Sequence, residues 1–593
     1  MTLKKKIAIL ALTAFLTYLP SFGNKFVWDD EQFIYKNQYV LNFDIQKIFT
    51  TNTIEGAGHN SNYYRPLTTL SFAIDHQIWG LNEFGFHLTN TFLHIGAGLL
   101  LFFYLRSIKL NEKTAFWISL FFLIHPLQTE AVTYINSRGD SLYAFFTMLG
   151  LLTFSLSFKK KFKKIQIYNL EIKASKFTFI ALSISCYIFA VLSKEIALAT
   201  IGLFALTLLK KFIDELTVDN LQEKNKFFSL IKTYRSQIIN IISIIACAAL
   251  YLYLKATKLN FLNSFNFYDG KNIYSSNLMV RLITFSKIFF TYLRLLIFPY
   301  PLHMERDSEI ITQFFSPWPI AFTLFLIIII IFALLEIKSV IKRKQSEYKA
   351  WFYFGAIWFA TMLVPVSGII PINGLIYEHW LYLPMIGFFI CLYAVFKLFT
   401  KNFSQLFKKI EKQGEGSESR SERGYPGVNV KYFLYILCAI YIILTIRQNY
   451  LWANPIRFYE YTLNYAHTAR LHNNLGMAYA EAGQFNKAIE QYEKSLEIVN
   501  IYPEIFHNLA NVYKSIGETD QAIKYYEQAI ELDPGFHFSY GFLVELYLKK
   551  ADKVEAESTL EQKEKAVQLL EKYLQIYPNN DSVKAMIEQI QSE

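Results

Sequence analysis

The sequence predicts an all-α protein in two parts: a polytopic membrane bundle followed by a solenoid of helix pairs. Three observations predict it. Of the 593 residues, 53% are hydrophobic, 17% aromatic and only 18% charged, too apolar for an ordinary soluble domain. Apolar runs of roughly 17–22 residues recur, each long enough to cross a bilayer as a helix, and 321-AFTLFLIIIIIFALLEI-337 is the plainest. A self-similarity with a period of 34 residues begins after Ala469.

The charge narrows the class further. The formal net charge is +11, but from Ala469 onward there are 12 Lys/Arg and 20 Asp/Glu, a net of −8, which leaves +19 on the preceding residues. Those cations sit in short clusters between apolar runs, the pattern of cytoplasmic loops and not of a nucleic-acid surface. Cys186, Cys247, Cys391 and Cys438 all lie inside hydrophobic segments with no CxxC. A disulfide framework and a zinc site are therefore not expected. No Walker loop, GxSxG, HExxH or GxGxxG is present, so those signatures of ATP-driven transport, serine hydrolysis, zinc proteolysis and dinucleotide binding are missing.

The clusters set a topology. The basic start and apolar core of MTLKKKIAILALTAFLTYLPSFGN read as a retained first span, about 5–22, with Lys4–Lys6 in the cytoplasm. Spans follow at about 84–105, 114–125, 141–157, 176–192, 196–209 and 237–254. This register puts Arg106, Lys109, 159-KKKFKK-164, Lys210 and Lys211 on the inside. Segment 278–298 carries Arg281, Lys287 and Arg294. If it crossed, 338-KSVIKRK-344 and the basic loop around 411-EKQGEGSESRSERG-424 would both fall outside, against the charge rule. It is expected instead as an amphipathic helix on the outer interface, with its three cations near one another on one face. Further spans at about 320–337, 351–370, 381–397 and 432–446 give eleven.

The expected domains are thus a membrane domain 1–446, a linker and capping helix 447–468, and a repeat domain 469–593. Within the first lie an external loop 23–83, an external interfacial segment 278–317 and a cytoplasmic low-complexity loop 398–431. An odd span count puts the repeats outside. It also collects Asp29, Asp30, Arg65, His125, Glu130, Arg138, Lys194, Glu195, Glu378 and His379 on the outer face or at its membrane edge. Ionisable groups at membrane depth are costly and usually functional. A carboxylate in a partly desolvated site can take a proton from an attacking hydroxyl, and Lys or Arg can hold a lipid phosphate. Tyr63 and Tyr64 read as interfacial aromatics, and His94, inside a span, as a packed, hydrogen-bonded histidine.

In the repeats, Leu475 and Leu509, Tyr479 and Tyr513, Gly483 and Gly517, Ala488 and Ala522, and Tyr492 and Tyr526 are each 34 apart, the tetratricopeptide period of two helices. A third repeat continues through Leu543 and Tyr547. A ten-residue insertion at roughly 550–562 then displaces the match, so that Ala566 and Pro578 fall 44 beyond Ala522 and Pro534. The segment 455-PIRFYEYTLNYA-466 reads as a leading cap. About three repeats are expected, presenting a concave face to a protein.

Taken together, 26-FVWDDEQFIYKN-37, 63-YYRPLTTLSFAIDHQIWGLNEFGFHLTNTFLH-94, 125-HPLQTEAVTYINSRGDSLYA-144 and 377-YEHWLYLP-384 resemble the transmembrane and tetratricopeptide-repeat-containing O-mannosyltransferases and their bacterial relatives, of the GT-C class of membrane glycosyltransferases. The resemblance covers nearly the whole chain. It implies a polyprenyl-phosphate-linked hexose as donor and transfer to a protein hydroxyl on the outer side. It implies Asp29 as general base, Asp30 positioning the base or acceptor, and Arg138 (in SRGD) and Lys194 (in SKE) on the donor phosphate. Arg65, His125, Glu130, Glu195, Glu378 and His379 would line the site. At His379 the family's eukaryotic members tend to carry Arg, a departure from the pattern. No metal site is assigned: acids of this kind can hold a divalent cation, and related transferases include metal-independent ones. The expected partners are a lipid-linked sugar, the bilayer and a protein acceptor or partner on the repeats.

Two other classes compete. A non-catalytic membrane-anchored scaffold would use the repeats alone and leaves the gathering of WDD, SRGD and SKE on one side unexplained. A transporter or flippase lacks a visible inverted repeat. Abundant Lys, Ile, Asn and Phe point to an AT-rich bacterial genome and an inner membrane with extracytoplasmic repeats.

Overall fold

The structure, a computed structural model, describes residues 1–159, 165–167, 170–172, 175–218, 226–261, 273–306, 308–341, 347–370, 372, 374–413, 430–552 and 556–592. Among these the chain is helical, apart from one antiparallel ribbon that pairs Ile165–Ile167 with Leu170–Ile172. Contacts divide it into two units, Met1–Ala453 and Asn454–Glu593.

In the first unit eight helices are long and apolar enough to cross a membrane: Leu3–Gly23, Glu83–Ser107, Ile135–Leu156, Lys176–Ser193, Glu195–Glu215, Arg235–Thr257, Glu347–Val366 and Tyr432–Leu451. Helices Glu112–Ile124 and Pro126–Val132 meet at a 53° bend and make a ninth if counted as one span. Pro317–Ile331 and Pro384–Thr400 are shorter apolar stretches. Each of the eleven expected positions carries an apolar helix; among the described residues length and composition support eight or nine spans, and the helices at the other two positions run Pro317–Ile341 and Pro384–Gln413.

Two breaks near the expected outer edge have local causes. Pro126 lacks an N–H, and His125 Nδ1 accepts the Leu127 amide at 3.3 Å, so the helix restarts at a new angle. Lys194 is extended (φ −159°, ψ 134°) between Lys176–Ser193 and the turn that starts at Glu195. At the opposite end, Glu112 pairs with Lys6, and with Arg106 at 3.0 Å. The basic start of the first helix therefore lies beside the basic end of Glu83–Ser107.

Three expectations need correction. The loop 398–431 is shorter, because the helix from Pro384 runs on to Gln413 and the next begins at Val430; residues 414–429, most of the low-complexity stretch, lie outside the described residues. The three cations of Leu278–Ile297 do not all share a face: Lys287 and Arg294 do, and Arg281 does not. At 3.6 residues per turn, Arg281 is about 120° round the helix from Lys287. Arg281 is buried, with Nε donating to Gly368 O at 2.7 Å, whereas Arg294 is exposed. Near its other end, Leu296 O lies 3.3 Å from His125 Nε2. Finally, the segment 447–468 is divided: Val430–Leu451 is one helix, and Pro455–Leu463 packs on Ala469–Glu481 within the second unit.

That second unit holds three helix pairs, Ala469–Glu481 with Phe485–Ile498, Pro503–Ser515 with Thr519–Leu532, and Phe538–Ala551 with Ala556–Ile576, followed by Asp581–Ser592. Ala488 and Ala522 are fully buried and Tyr492 and Tyr526 nearly so, which is why those positions repeat. Gly483 and Gly517 turn the first two pairs with φ of 71° and 86°. The extra residues of the third repeat go into its second helix, which has 21 residues against 14 in each of the first two.

One close helix contact in the first unit is between backbones. A Cβ at Gly387 would sit 2.5 Å from Gly355 O, and one at Gly355 2.6 Å from Gly387 O. With no side chain between them, Glu347–Leu363 and Pro384–Gln413 touch along their main chains. Gly387→Ala should therefore lower stability by about 1–3 kcal/mol or more, read as a fall in melting temperature in detergent. An unchanged melting temperature would refute this contact.

Candidate active site

The site is built where the segment 23–83 meets the breaks at 125–138, 193–195 and 377–381. Its first part is the acidic pair. Trp28 is buried with φ 58°, a left-handed conformation that costs a bulky residue about 1–2 kcal/mol. It turns the chain so that the two acids diverge. Asp30 is fully buried, accepting the Val27 amide at 2.9 Å on Oδ2 and the Asn136 amide at 2.8 Å on Oδ1. Burial pushes its pKa well above the usual carboxylate range, and the two amides pull it only part of the way back. Asp29 stays half-buried, its own amide donating to Tyr134 Oη at 3.1 Å. Asp30 thus fixes the loop, and Asp29 beside it stays half-buried.

Arg138 is placed differently from expectation. It is fully buried, and every guanidinium nitrogen has a protein partner. Nε donates to Asn90 Oδ1 at 2.6 Å, Nη1 to Ser71 O at 3.1 Å, and Nη2 to Phe86 O at 3.0 Å, with Asp75 Oδ2 2.5 Å away as its counter-ion. Phe72 lies under it, 4.6 Å from the ring centroid. Nothing is left for a phosphate. Arg138 is a strut that ties Pro66–Trp79 and Glu83–Ser107 to the start of its own helix. His125 is likewise committed, through Leu127 and Leu296, and packs against Tyr441 and Phe389. It does not line the site.

The cations that remain open are Lys194 and Arg65. Lys194 Nζ donates to Asp140 Oδ2 at 2.6 Å and has no second protein partner among the described residues. Arg65 Nε donates to Glu195 Oε2 at 2.9 Å, with its guanidinium 4.4 Å from the Tyr63 ring centroid; its two terminal nitrogens have no partner among the described residues. Lys194 and Glu195 are therefore not paired with each other. Glu195 also accepts the Tyr64 amide at 3.2 Å, stitching the external loop to the helix break. Tyr64 is buried and not an interfacial aromatic, while Tyr63 is exposed.

A third group closes the site. Glu130 accepts the amides of Glu378 (2.7 Å) and His379 (3.0 Å) on Oε2, and Oε1 is 2.8 Å from His379 Nδ1. Glu378 pairs with Arg306 and accepts the His303 amide at 2.8 Å. His94 is packed as expected, between Tyr382 Oη at 2.5 Å and Leu123 O at 3.0 Å. Among the described residues, no group of three or more His, Cys, Asp or Glu is arranged to hold a metal ion.

Asn136, which holds Asp30, and Asp140, which holds Lys194, are four residues apart, roughly 6 Å along a helix. The anchors of Asp30 and Lys194 are thus about one turn apart. The residues that sequence reasoning missed are Asp75, Asn90, Tyr134, Asn136, Asp140, His303 and Arg306. Only Asp140 had a local cue, in SRGD.

The fold and site define an integral membrane protein of apolar helices carrying tetratricopeptide repeats. The family described as Tetratricopeptide repeat matches residues 467–534. The chain is similar to protein O-mannosyl-transferases: at 23% identity to Protein O-mannosyl-transferase F38B6.6 of Caenorhabditis elegans, over 84% of this chain and 64% of that one. It is 33% identical to Protein O-mannosyl-transferase TMTC2 of Mus musculus, over 23% of this chain and 17% of that one. The chain thus spans less than two thirds of the length of these relatives. The archaeal oligosaccharyltransferase AglB from Archaeoglobus fulgidus, solved with an inhibitory peptide and a dolichol-phosphate, aligns over 77% of this chain and 55% of that chain at 13% identity, with a TM-score of 0.35, too loose a likeness to assign a fold.

Because Arg138 is spent inside the protein, its loss should be a folding defect. Arg138→Gln should destabilise by about 3–5 kcal/mol by leaving Asp75 buried and unpaired, and Arg138→Met with Asp75→Leu should recover much of that. A stable Arg138→Gln protein that binds donor poorly would restore a phosphate role.

Proposed function

We propose that this protein transfers a hexose, mannose by analogy with its relatives, from a polyprenyl-phosphate carrier to a hydroxyl, a protein Ser or Thr, on the extracytoplasmic side of the membrane. The observation that carries the reading is a half-buried carboxylate, Asp29, next to the buried Asp30, whose anchor Asn136 lies four residues before Asp140, the partner of Lys194, with a second cation, Arg65, held on Glu195 through Nε alone.

In this mechanism Asp29 accepts the proton of the attacking hydroxyl. The acceptor oxygen bonds to the sugar's anomeric carbon as the bond from that carbon to the phosphate oxygen breaks, and the electron pair stays on the phosphate. Lys194 and Arg65 hold that phosphate and offset its growing charge. Asp30, with its raised pKa, is the positioning acid. Asp140 aims Lys194, and Glu195 aims Arg65. Arg65 takes the phosphate role that sequence reasoning gave to Arg138. The extracytoplasmic side is supported by the cationic end formed by Lys6 and Arg106, opposite the site. The repeats, as protein-binding surfaces, would present the acceptor or a partner outside a bacterial inner membrane.

The test is transfer in lipid from radiolabelled polyprenyl-phosphate mannose to secreted proteins of the host. Asp29→Asn should cut transfer by a hundredfold or more, on the order expected for a lost general base, with an unchanged melting temperature. Lys194→Met and Arg65→Met should weaken donor binding. Label on protein that survives in Asp29→Asn would rule out this base. Silence with every lipid-linked sugar, from a folded protein, would favour a scaffold acting through its repeats.

A further inference from the structure

His379 is the site group whose chemistry the transfer mechanism leaves unused. It sits in the turn Glu378–Leu381, with one ring nitrogen committed and the other open. Glu130 Oε1 lies 2.8 Å from Nδ1, and the same carboxylate grips the backbone amides of residues 378 and 379 through Oε2. With Glu130 ionised its carboxylate accepts only, so in that state Nδ1 carries the hydrogen and Nε2 is the free position. Tyr377 stacks on the ring at 5.3 Å and 22°, and Trp380 meets it edge-on at 6.1 Å. Both fix its orientation. Nε2 has no protein partner among the described residues, and it is not among the polar atoms buried without one. The side chain keeps 13% of its surface exposed.

The charged groups around the ring come from every side. Lys194 stands at the helix break, Asp140 on the helix that starts at Arg138, Arg65 on the external loop, Glu130 on the bent segment and Glu378 beside it, paired with Arg306. Burial and the two cations Lys194 and Arg65 hold the imidazole neutral, with its pKa down to about 3. A phosphate bound between those cations would reverse the balance. It would cancel their field and put an anion where Nε2 is open.

We propose that His379 is a third ligand of the donor phosphate and takes up a proton as the phosphate binds. Its Nδ1–H stays on Glu130, and its new Nε2–H donates to a phosphate oxygen. One N–H bond forms in this step, with the proton taken from hydronium in the solvent, which becomes water, and one anion enters; no other covalent bond changes. This inference rests on Lys194 and Arg65 being the phosphate site. It adds to donor binding a pH dependence that resides in His379 and is lost when His379 is replaced.

The test uses the full chain in lipid nanodiscs and equilibrium binding of a radiolabelled polyprenyl methyl phosphate. This probe is a diester whose single negative charge does not change from about pH 5 to about pH 9. Wild-type affinity should fall as pH rises, by up to about tenfold per pH unit, because one proton is bound with each probe. His379→Arg, a fixed cation, should bind tightly with a flat profile. His379→Gln should bind about tenfold to a hundredfold more weakly, also with a flat profile, for the loss of one charge-assisted hydrogen bond. A flat wild-type profile, or a slope kept in His379→Gln, would overturn the proposal. Should His379→Gln fail to fold, wild type against His379→Arg decides it. Lys194→Met separates the two levels: binding lost there but unchanged in His379→Gln removes only His379, whereas binding kept in Lys194→Met removes the phosphate site itself.

Discussion

The site hangs on one buried guanidinium. Arg138 draws Asp75 and Ser71 of one helix, and Asn90 and the Phe86 carbonyl of another, onto the start of its own. Asn90 is used twice, since its side-chain amide also donates to the carbonyls of Val132 (3.2 Å) and Ile135 (3.3 Å). The turn so held presents the Asn136 amide to Asp30. One helical turn later Asp140 reaches Lys194. A buried ion pair gives little net stability over an apolar equivalent, but breaking one is severe. Such a strut therefore contributes geometry more than stability. Here the geometry is the placement of Asn136 under Asp30 and of Asp140 under Lys194.

Division of labour among like residues follows from environment. Asp29 and Asp30 are neighbours in sequence, yet one is half-exposed and the other accepts two backbone amides in the core. Arg65 and Arg138 are both held by carboxylates. Arg138 is saturated, while Arg65 spends only Nε and leaves its terminal nitrogens open. Glu130 and Glu378 act as backbone clamps, fastening residues 378–379 and 303 around His379. Catalytic capacity in this cluster is a matter of which donors and acceptors remain unspent.

The sequence made local periodicities legible. Apolar runs marked every helix that later proved apolar enough to span, and the period of 34 placed the helix pairs, because both patterns are carried by residues close in the chain. The acidic pair was legible for the same reason. The partners that decide roles were not. Asp75 lies 63 residues from Arg138, Asp140 54 from Lys194, and Glu130 249 from His379, and no spacing rule links such positions. Arg138 was misread because SRGD shows a cation at a helix start but not that the interior holds its counter-ion. His125 was misread because a histidine before Pro126 looks exposed at a span end, while the bend turns it inward. The charge pattern of Leu278–Ile297 was misjudged by treating a six-residue step as a full turn of the helix.

The most direct measurement is a structure of the protein in lipid with a polyprenyl monophosphate bound. The account predicts the phosphate within hydrogen-bond reach of Lys194 Nζ and the terminal nitrogens of Arg65, with the Asp29 carboxylate facing the same space and Arg138 still closed on Asp75. A phosphate held by an opened Arg138, or seated at the cationic end near Lys6 and Arg106, would contradict it.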